Sequence, residues 1–139
     1  MIVMKRKENI KPVPPGSSGD KALLCAREAL QLKALDLVLL DVAELTSFTD
    51  FFLICSGKSG RQVQGIADKL ETTLAQAGIK ALGIEGRVEG HWVLMDYADV
   101  VIHIFYEPVR YFYDLESLWS DAKRVSFSAD AAIPDENTQ

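Results

Sequence analysis

The chain has 139 residues, a hydrophobic content of 48% and a formal net charge of −5. This length suits one compact domain with one core, and no apolar run approaches the ~20 residues of a membrane span. Because twenty acidic residues outnumber fifteen basic ones, the chain as a whole repels a phosphate backbone, and we expect no direct sequence-specific binding to nucleic acid.

The two ends of the chain have the composition of tails. Residues Met1 to Gly19 are rich in proline, glycine and serine, and we predict a disordered tail, because such a segment buries too little apolar surface to offset the entropy of ordering. The basic run Lys5-Arg6-Lys7 precedes polar residues rather than an apolar signal stretch, so we expect a cytoplasmic location. The end from Ser126 to Gln139 is acidic and expected to be loose. The folded domain should therefore span residues 20–125.

The first half of this domain reads as a helix followed by two strands. Ser17 or Ser18 can cap a helix with apolar residues at three-and-four spacing that ends near Leu32. Strands are predicted from Leu37 to Val42 and from Phe51 to Ser56. The second strand is apolar on both faces, which is typical of the centre of a sheet.

The second half adds a long helix, a hairpin and a final helical stretch. The helix runs from about Gly60 to Ala77, and a short segment lies around Ala81 to Ile84. Trp92 to Tyr97 and Val100 to Tyr106 form a predicted hairpin, after which Pro108 begins a helical stretch through Trp119. We therefore predict an α/β single domain, with a mixed β-sheet of about five strands packed by helices.

A phosphate loop is suggested by Gly57-Lys58-Ser59, which lies between a strand and a helix. The complete motif requires a glycine five positions before Gly57, where this chain has Phe52. We interpret Ser59 as the N-cap of the second helix instead. The two cysteines, Cys25 and Cys55, lack the close spacing of a zinc or redox motif and are expected to be buried free thiols.

The hairpin also contains a possible set of metal ligands: His91, Asp96, Asp99 and His103. With Tyr97-Ala98 as a two-residue turn, Asp96 lies opposite Asp99 and Trp92 lies opposite His103. By strand alternation, His91 and His103 then point to opposite sides and cannot share one ion. A bulge would change this alternation and restore the possibility. We expect no metal site.

The same register divides the hairpin into two faces. The core face is predicted to contain Val93, Met95, Tyr97, Val100, Ile102, Ile104 and Tyr106. The other face mixes large apolar groups with two carboxylates and resembles a partner-binding patch; it contains Trp92, Leu94, Asp96, Asp99, Val101, His103 and Phe105. The alternative is that another helix covers this face. Between Ile84 and Glu107 five acids accompany one arginine, so the region should prefer a basic partner.

Six blocks of sequence, in the same order, resemble the ribosomal silencing factor family (RsfS, or Iojap). They are Leu40-Asp41-Val42, Thr49-Asp50-Phe51-Phe52-Leu53-Ile54, Ser56-Gly57-Lys58-Ser59-Gly60-Arg61-Gln62-Val63, His91-Trp92-Val93-Leu94-Met95-Asp96-Tyr97, Val101-Ile102-His103-Ile104-Phe105 and Arg110-Tyr111-Phe112-Tyr113-Asp114-Leu115-Glu116-Ser117-Leu118-Trp119.

The resemblance implies a fold with a nucleotidyltransferase-like shape but without that chemistry. It further implies binding to the large ribosomal subunit through ribosomal protein L-fourteen, which blocks docking of the small subunit and represses translation under nutrient limitation. No catalytic residue, cofactor or metal is expected. The expected partner-binding residues are Trp92, Leu94, Asp96, Tyr97, Asp99 and Val101, with possible further contacts at Arg110, Tyr113 and Glu116.

Two other functions stay open from the sequence. A nucleotidyltransferase-like enzyme would require two acidic residues, spaced two apart, soon after the Ser56-Gly57 turn, whereas the next helix offers only Asp68 and Glu71. A homodimeric interaction module would use the Trp92 face to bind a second copy, and such a homodimer could also be the free state of a ribosome-binding protein.

Overall fold

The computed structural model describes residues 17–127, which fold around a six-stranded mixed sheet. Its strands are β1 (Leu35–Asp41), β2 (Phe51–Gly57), β3 (Gly83–Glu85), β4 (Trp92–Asp96), β5 (Val100–Tyr106) and β6 (Lys123–Arg124). They lie in the order β3-β4-β5-β2-β1-β6. Only β2 and β5 are parallel neighbours among these strands, because the chain crosses over through a helix between them. This arrangement confirms the predicted α/β class.

Two long helices, α1 (Ser18–Gln31) and α2 (Gly60–Gln76), cover one face of the sheet. Each begins where a serine accepts a backbone N–H: Ser17 Oγ from Asp20 and Ser59 Oγ from Gln62. The capping prediction is confirmed at Ser59, and Ser17 is the first cap. Ser18 and Gly19, which the sequence assigned to the tail, form the first turn of α1. Phe127, which the sequence assigned to the loose C-terminal tail, packs against the hydrophobic core, and residues 1–16 and 128–139 of the predicted tails lie outside the described residues.

Strand β2 lies at the centre of the sheet, as predicted, with β1 and β5 as its neighbours. On the helix side, Leu53 and Cys55 belong to a core that includes α1 and α2. On the opposite side, Phe52 and Ile54 belong to a second apolar cluster. Cys25 and Cys55 are buried and free, and burial raises the pKa of each thiol to about 12, so both are unreactive at neutral pH.

The predicted hairpin between β4 and β5 exists, but its turn lies one residue further along the chain. The backbone N–H of Tyr97 donates to the carbonyl of Val100 at 2.9 Å, so the turn consists of Ala98 and Asp99. Ala98 takes a left-handed conformation with φ of 73°. The Asp96 carboxylate stabilises this turn by accepting the Ala98 N–H at 2.8 Å. The Tyr97-Ala98 turn was therefore the wrong prediction.

This shift moves every cross-strand partner by two residues. Trp92 lies opposite Phe105 rather than His103, and Asp96 lies opposite Val101 rather than Asp99. Because side chains alternate with a period of two, a two-residue shift preserves the assignment of strand residues to faces. Six of the predicted core residues are accordingly in the helix-side core, namely Val93, Met95, Tyr97, Val100, Ile102 and Ile104, and Tyr106 packs against it.

The last predicted helix is broken into α3 (Glu107–Tyr113) and α4 (Leu115–Leu118). The break occurs at Asp114, whose φ of 47° is left-handed and incompatible with a continuous helix. The chain then returns across the second apolar cluster and forms β6, which pairs with β1. Trp119 lies edge-on to Phe52 with ring centroids 5.0 Å apart, so this return covers the inner part of the Trp92 side of the sheet.

Candidate partner-binding face

A row of four aromatic rings leads from the interior to the surface on the side of the sheet opposite α1 and α2. Trp92 lies 4.8 Å from Phe105 and 4.9 Å from Tyr113, and Tyr113 lies 5.0 Å from Phe112, measured between ring centroids. Phe105 is fully buried and Trp92 is half-buried, whereas Tyr113 is 52% and Phe112 is 80% exposed. We call this row the aromatic ladder. It joins the predicted Trp92 face to α3.

The outer end of the ladder lies in a short segment, residues 111–118, that exposes several large apolar side chains, and we call these side chains the apolar patch. Seven large hydrophobic side chains are exposed in the described residues, and four of them lie between residues 111 and 118: Tyr111, Phe112, Tyr113 and Leu118. Scattered exposed apolar residues are ordinary, but a concentration in one short segment is typical of an interaction site. The patch is therefore the strongest candidate for a partner contact in residues 17–127.

Trp92 itself is held by contacts within the domain. Its indole N–H donates to Nδ1 of His103 at 3.1 Å, and its ring packs on Phe105 and Tyr113. His103 is buried, and burial lowers its pKa to about 4, so the imidazole is neutral near pH 7. Trp92 is consequently both a packing residue and a surface residue. For the Trp92 side of the hairpin, the sequence favoured a partner-binding patch over a face covered by another helix. In the structure the returning chain covers the inner part of this side, and the outer margin of the same side is exposed.

In the block from Arg110 to Trp119, where the sequence left partner contact and folding unseparated, the structure shows contacts within the domain for two of the predicted residues. Arg110 is buried, pairs with the Glu116 carboxylate at 2.8 Å and donates to the Ser56 hydroxyl at 2.7 Å. The ion pair joins α3 to α4, and the hydrogen bond to Ser56 fastens this segment to the end of β2. Arg110 and Glu116 are thus committed to holding α3 and α4 in place, whereas Tyr113 faces outward.

Three of the predicted contact residues are not at this surface. Tyr97 and Val101 are only 1% and 6% exposed, because each packs into one of the two apolar clusters. Asp99 points toward α1, where its carboxylate lies 3.7 Å from the Lys21 ammonium, since the shifted turn redirects it. In this conformation these three residues are unavailable on the Trp92 side. Leu94 and Asp96 are half-buried there, and one Asp96 oxygen is engaged by the turn.

Negative charge surrounds the base of the exposed segment. A cavity of about 430 Å³ beside α3 is lined by four carboxylates, Asp36, Glu107, Asp114 and Glu116. Arg110 is the basic side chain in its lining, and it is already paired with Glu116. An aromatic surface next to unbalanced carboxylates favours a partner rich in arginine and lysine, which can pair with the acids and stack on the rings.

The groups that suggested enzymatic chemistry are engaged in other contacts. Asp68 and Glu71 both pair with Arg87, at 2.8 and 2.9 Å, and so fasten the loop before β4 to α2. The His91 ring lies beside Tyr106, while His103 lies beside Trp92, so the two imidazoles are on opposite sides of the hairpin. In residues 17–127, no group of three or more potential ligands is placed to hold a metal ion. Over the same residues, no helix is long and apolar enough to span a membrane.

The sequence reasoning missed Tyr111, Phe112 and Leu118 as surface candidates. A signal was available, because three consecutive aromatic residues cannot all face inward on a helix with 3.6 residues per turn. The prediction of a helical stretch from Pro108 through Trp119 did not assign these side chains to a buried or an exposed face.

Comparison with known proteins places the chain in a family. The family model described as "Ribosomal silencing factor during starvation" matches residues 15–139. The ribosomal silencing factor RsfS of Chromobacterium violaceum is 41% identical over 110 residues, covering 78% of this chain and 89% of that protein. The RsfS of Bacillus subtilis is 42% identical over 90 residues, covering 65% of this chain and 76% of that protein.

Solved structures agree with the sequence comparison. A crystal structure of a Chromobacterium violaceum protein has a TM-score of 0.70 and 35% identity, covering 84% of this chain and 95% of that one. A Bacillus halodurans crystal structure has a TM-score of 0.63 and 40% identity, covering 69% and 90%. The chain therefore belongs to the ribosomal silencing factor family.

Proposed function

We propose that this protein represses translation by binding the large ribosomal subunit through ribosomal protein L-fourteen and thereby keeping the small subunit from docking. The observation that carries the proposal is the exposed end of the aromatic ladder, next to a group of carboxylates, in a member of the ribosomal silencing factor family. In this proposal Trp92, Leu94, Asp96 and Tyr113 contact the partner together with the adjacent Phe112.

The chemistry of the face fits a ribosomal protein. Proteins embedded in ribosomal RNA carry basic surfaces, which complement the carboxylates beside α3. Aromatic side chains commonly carry most of the binding energy of an interface, and arginine on the partner can stack on their rings. A contact of standard size buries about 800 Å² on each partner. A body held there excludes a second body by overlap, so no catalytic group is required.

A subunit-joining assay tests this proposal. The protein is titrated into purified large subunits before small subunits are added, and whole ribosomes are separated by sedimentation. We expect the yield of whole ribosomes to fall as the large subunits become occupied. We also expect co-sedimentation with free large subunits, but not with small subunits or with preformed ribosomes. Equal binding to all three particles would contradict occupation of the joining surface.

The same assay distinguishes steric blocking from catalysis. If the protein acts by steric exclusion alone, inhibition of subunit joining is proportional to the amount of bound protein and consumes no nucleoside triphosphate. This inhibition also persists when a chelator removes metal ions that are not needed for ribosome integrity. Nucleotide turnover that depends on magnesium and is lost in an Asp68→Ala variant would instead support the enzyme function.

We further propose that the protein acts in the cytoplasm. Ultracentrifugation of the free protein will show whether it forms a homodimer.

A further inference from the structure

His103 is a buried polar side chain at the inner edge of the partner-binding face. It is 5% exposed, and its Nδ1 accepts the Trp92 indole N–H at 3.1 Å. Its ring lies edge-on to Phe52 at 5.1 Å and nearly parallel to Phe105 at 6.3 Å, measured between centroids. The imidazole is thus enclosed by aromatic rings, and its one polar contact in the described residues is with Trp92.

This contact fixes the tautomer of the imidazole. An Nδ1 that accepts a hydrogen bond has a free lone pair, so a neutral ring must carry its proton on Nε2. Nε2 is buried and has no hydrogen-bond partner among residues 17–127. Leaving a buried N–H unpaired destabilises the fold, and an apolar ring at this position would avoid that cost. Packing alone therefore does not account for a histidine here, whereas the acceptor that it provides for Trp92 does.

We propose that His103 is a positioning residue of the partner-binding face, which holds the Trp92 indole in one orientation before the partner arrives. The hydrogen bond from the indole N–H to Nδ1, together with the contacts to Phe105 and Tyr113, restrains the ring on three sides. This inference rests on the proposed function, because it concerns how the same face is prepared for binding.

Preparing an anchor in advance increases affinity. A free tryptophan side chain must lose rotamer freedom when it is buried at an interface, and an indole N–H without an acceptor must lose its water. When His103 supplies both the restraint and the acceptor, the indole loses its rotamer freedom and its N–H loses its water during folding rather than during binding. Removing the acceptor should weaken binding to the large subunit roughly two- to tenfold.

The local part of the inference is tested on the unaltered protein by nuclear magnetic resonance of ¹⁵N-labelled samples. We expect the His103 nitrogen shifts of a ring protonated at Nε2 and unprotonated at Nδ1. The chain contains two tryptophans, and comparison with a Trp92→Phe sample assigns their indole N–H signals. The Trp92 signal should exchange slowly with solvent. A proton on Nδ1 near pH 7 would overturn the inference without any variant of His103.

Two variants test the functional part. His103→Phe keeps a ring of similar size but removes the acceptor, and His103→Asn places an amide oxygen close to the position of Nδ1. We expect His103→Phe to shift the Trp92 indole signal, accelerate its exchange and weaken co-sedimentation with purified large subunits two- to tenfold. His103→Asn should restore both the signal and the binding to a large extent, which a purely packing role would not produce.

The Trp92→Phe background shows whether His103 acts through Trp92. Phenylalanine has no N–H to donate, so replacing His103 in this background should change large-subunit affinity by less than twofold, a non-additivity that identifies coupled residues. An undiminished effect of His103→Phe in that background would overturn the positioning role. Failure of the unaltered protein to bind large subunits would instead remove the proposed function, while the tautomer and exchange measurements would still report the local hydrogen bond.

Discussion

Replacing Phe112 with alanine should separate binding from folding, because this ring is 80% exposed and lies edge-on to Tyr113. A phenylalanine side chain has roughly 200 Å² of surface, so only about 40 Å² is buried in the free protein. At ~25 cal/mol per Å², its loss costs at most about 1 kcal/mol of folding stability. Burial of the remainder against a partner could contribute up to about 4 kcal/mol, and alanine scanning of aromatic anchors typically gives about 2–3 kcal/mol.

We therefore expect the Phe112→Ala variant to bind large subunits roughly 30- to 150-fold more weakly, at ~1.4 kcal/mol per factor of ten. Its melting temperature should stay within a few degrees of the unaltered protein. Co-sedimentation over a range of protein concentrations measures the affinity. Val88→Ala is the matched control, because Val88 is 86% exposed but lies in the loop between β3 and β4. Unchanged binding of Phe112→Ala, or equal weakening by Val88→Ala, would refute the assignment of the patch.

Three further predictions concern residues with structural roles. Trp92→Ala should lose about 2–3 kcal/mol of folding stability in urea titrations, in addition to binding, because the indole is half-buried and hydrogen-bonded; full stability would show that the internal contacts of Trp92 are unimportant. Because burial lowers the pKa of His103 from 6.5 to about 4, the unfolded chain takes up a proton first as pH falls. Stability should then drop by about 3 kcal/mol between pH 6.5 and 4, and the His103→Phe variant should lack this component. Arg110→Met should lose about 2–3 kcal/mol, because it leaves the Glu116 carboxylate and the Ser56 hydroxyl without their partner, and Arg110→Met combined with Glu116→Leu should recover part of that loss.

The fold was largely predictable because its regular elements have strong local signals. The capping serine at Ser59 and the apolar stripe after it define α2, and the continuous apolar run from Phe51 identifies the central strand. The family motifs were equally informative. Strand β6 is only two residues long, and it was not predictable because its pairing with β1 depends on the path of the returning chain rather than on local sequence.

The candidate site was less predictable because it depends on backbone details. The turn at Ala98 and Asp99 requires a left-handed alanine, for which the sequence carries no distinct signal. Because the turn was predicted one residue too early, Asp99 was assigned to the Trp92 face, whereas its carboxylate lies near α1. The break at Asp114 is likewise a left-handed residue within an otherwise helical pattern. Face assignments of strand residues were correct despite the register error, since alternation depends on parity alone.

The central claim is that the aromatic ladder contacts ribosomal protein L-fourteen on the joining surface of the large subunit. A photoreactive phenylalanine analogue at position 112 tests it directly, with the same analogue at position 88 as the control. We predict that illumination of the complex with large subunits links position 112 to L-fourteen, that position 88 gives no such product, and that prior joining of small subunits abolishes the link. A link from position 112 to a different ribosomal component, or an equal yield on whole ribosomes, would contradict the account.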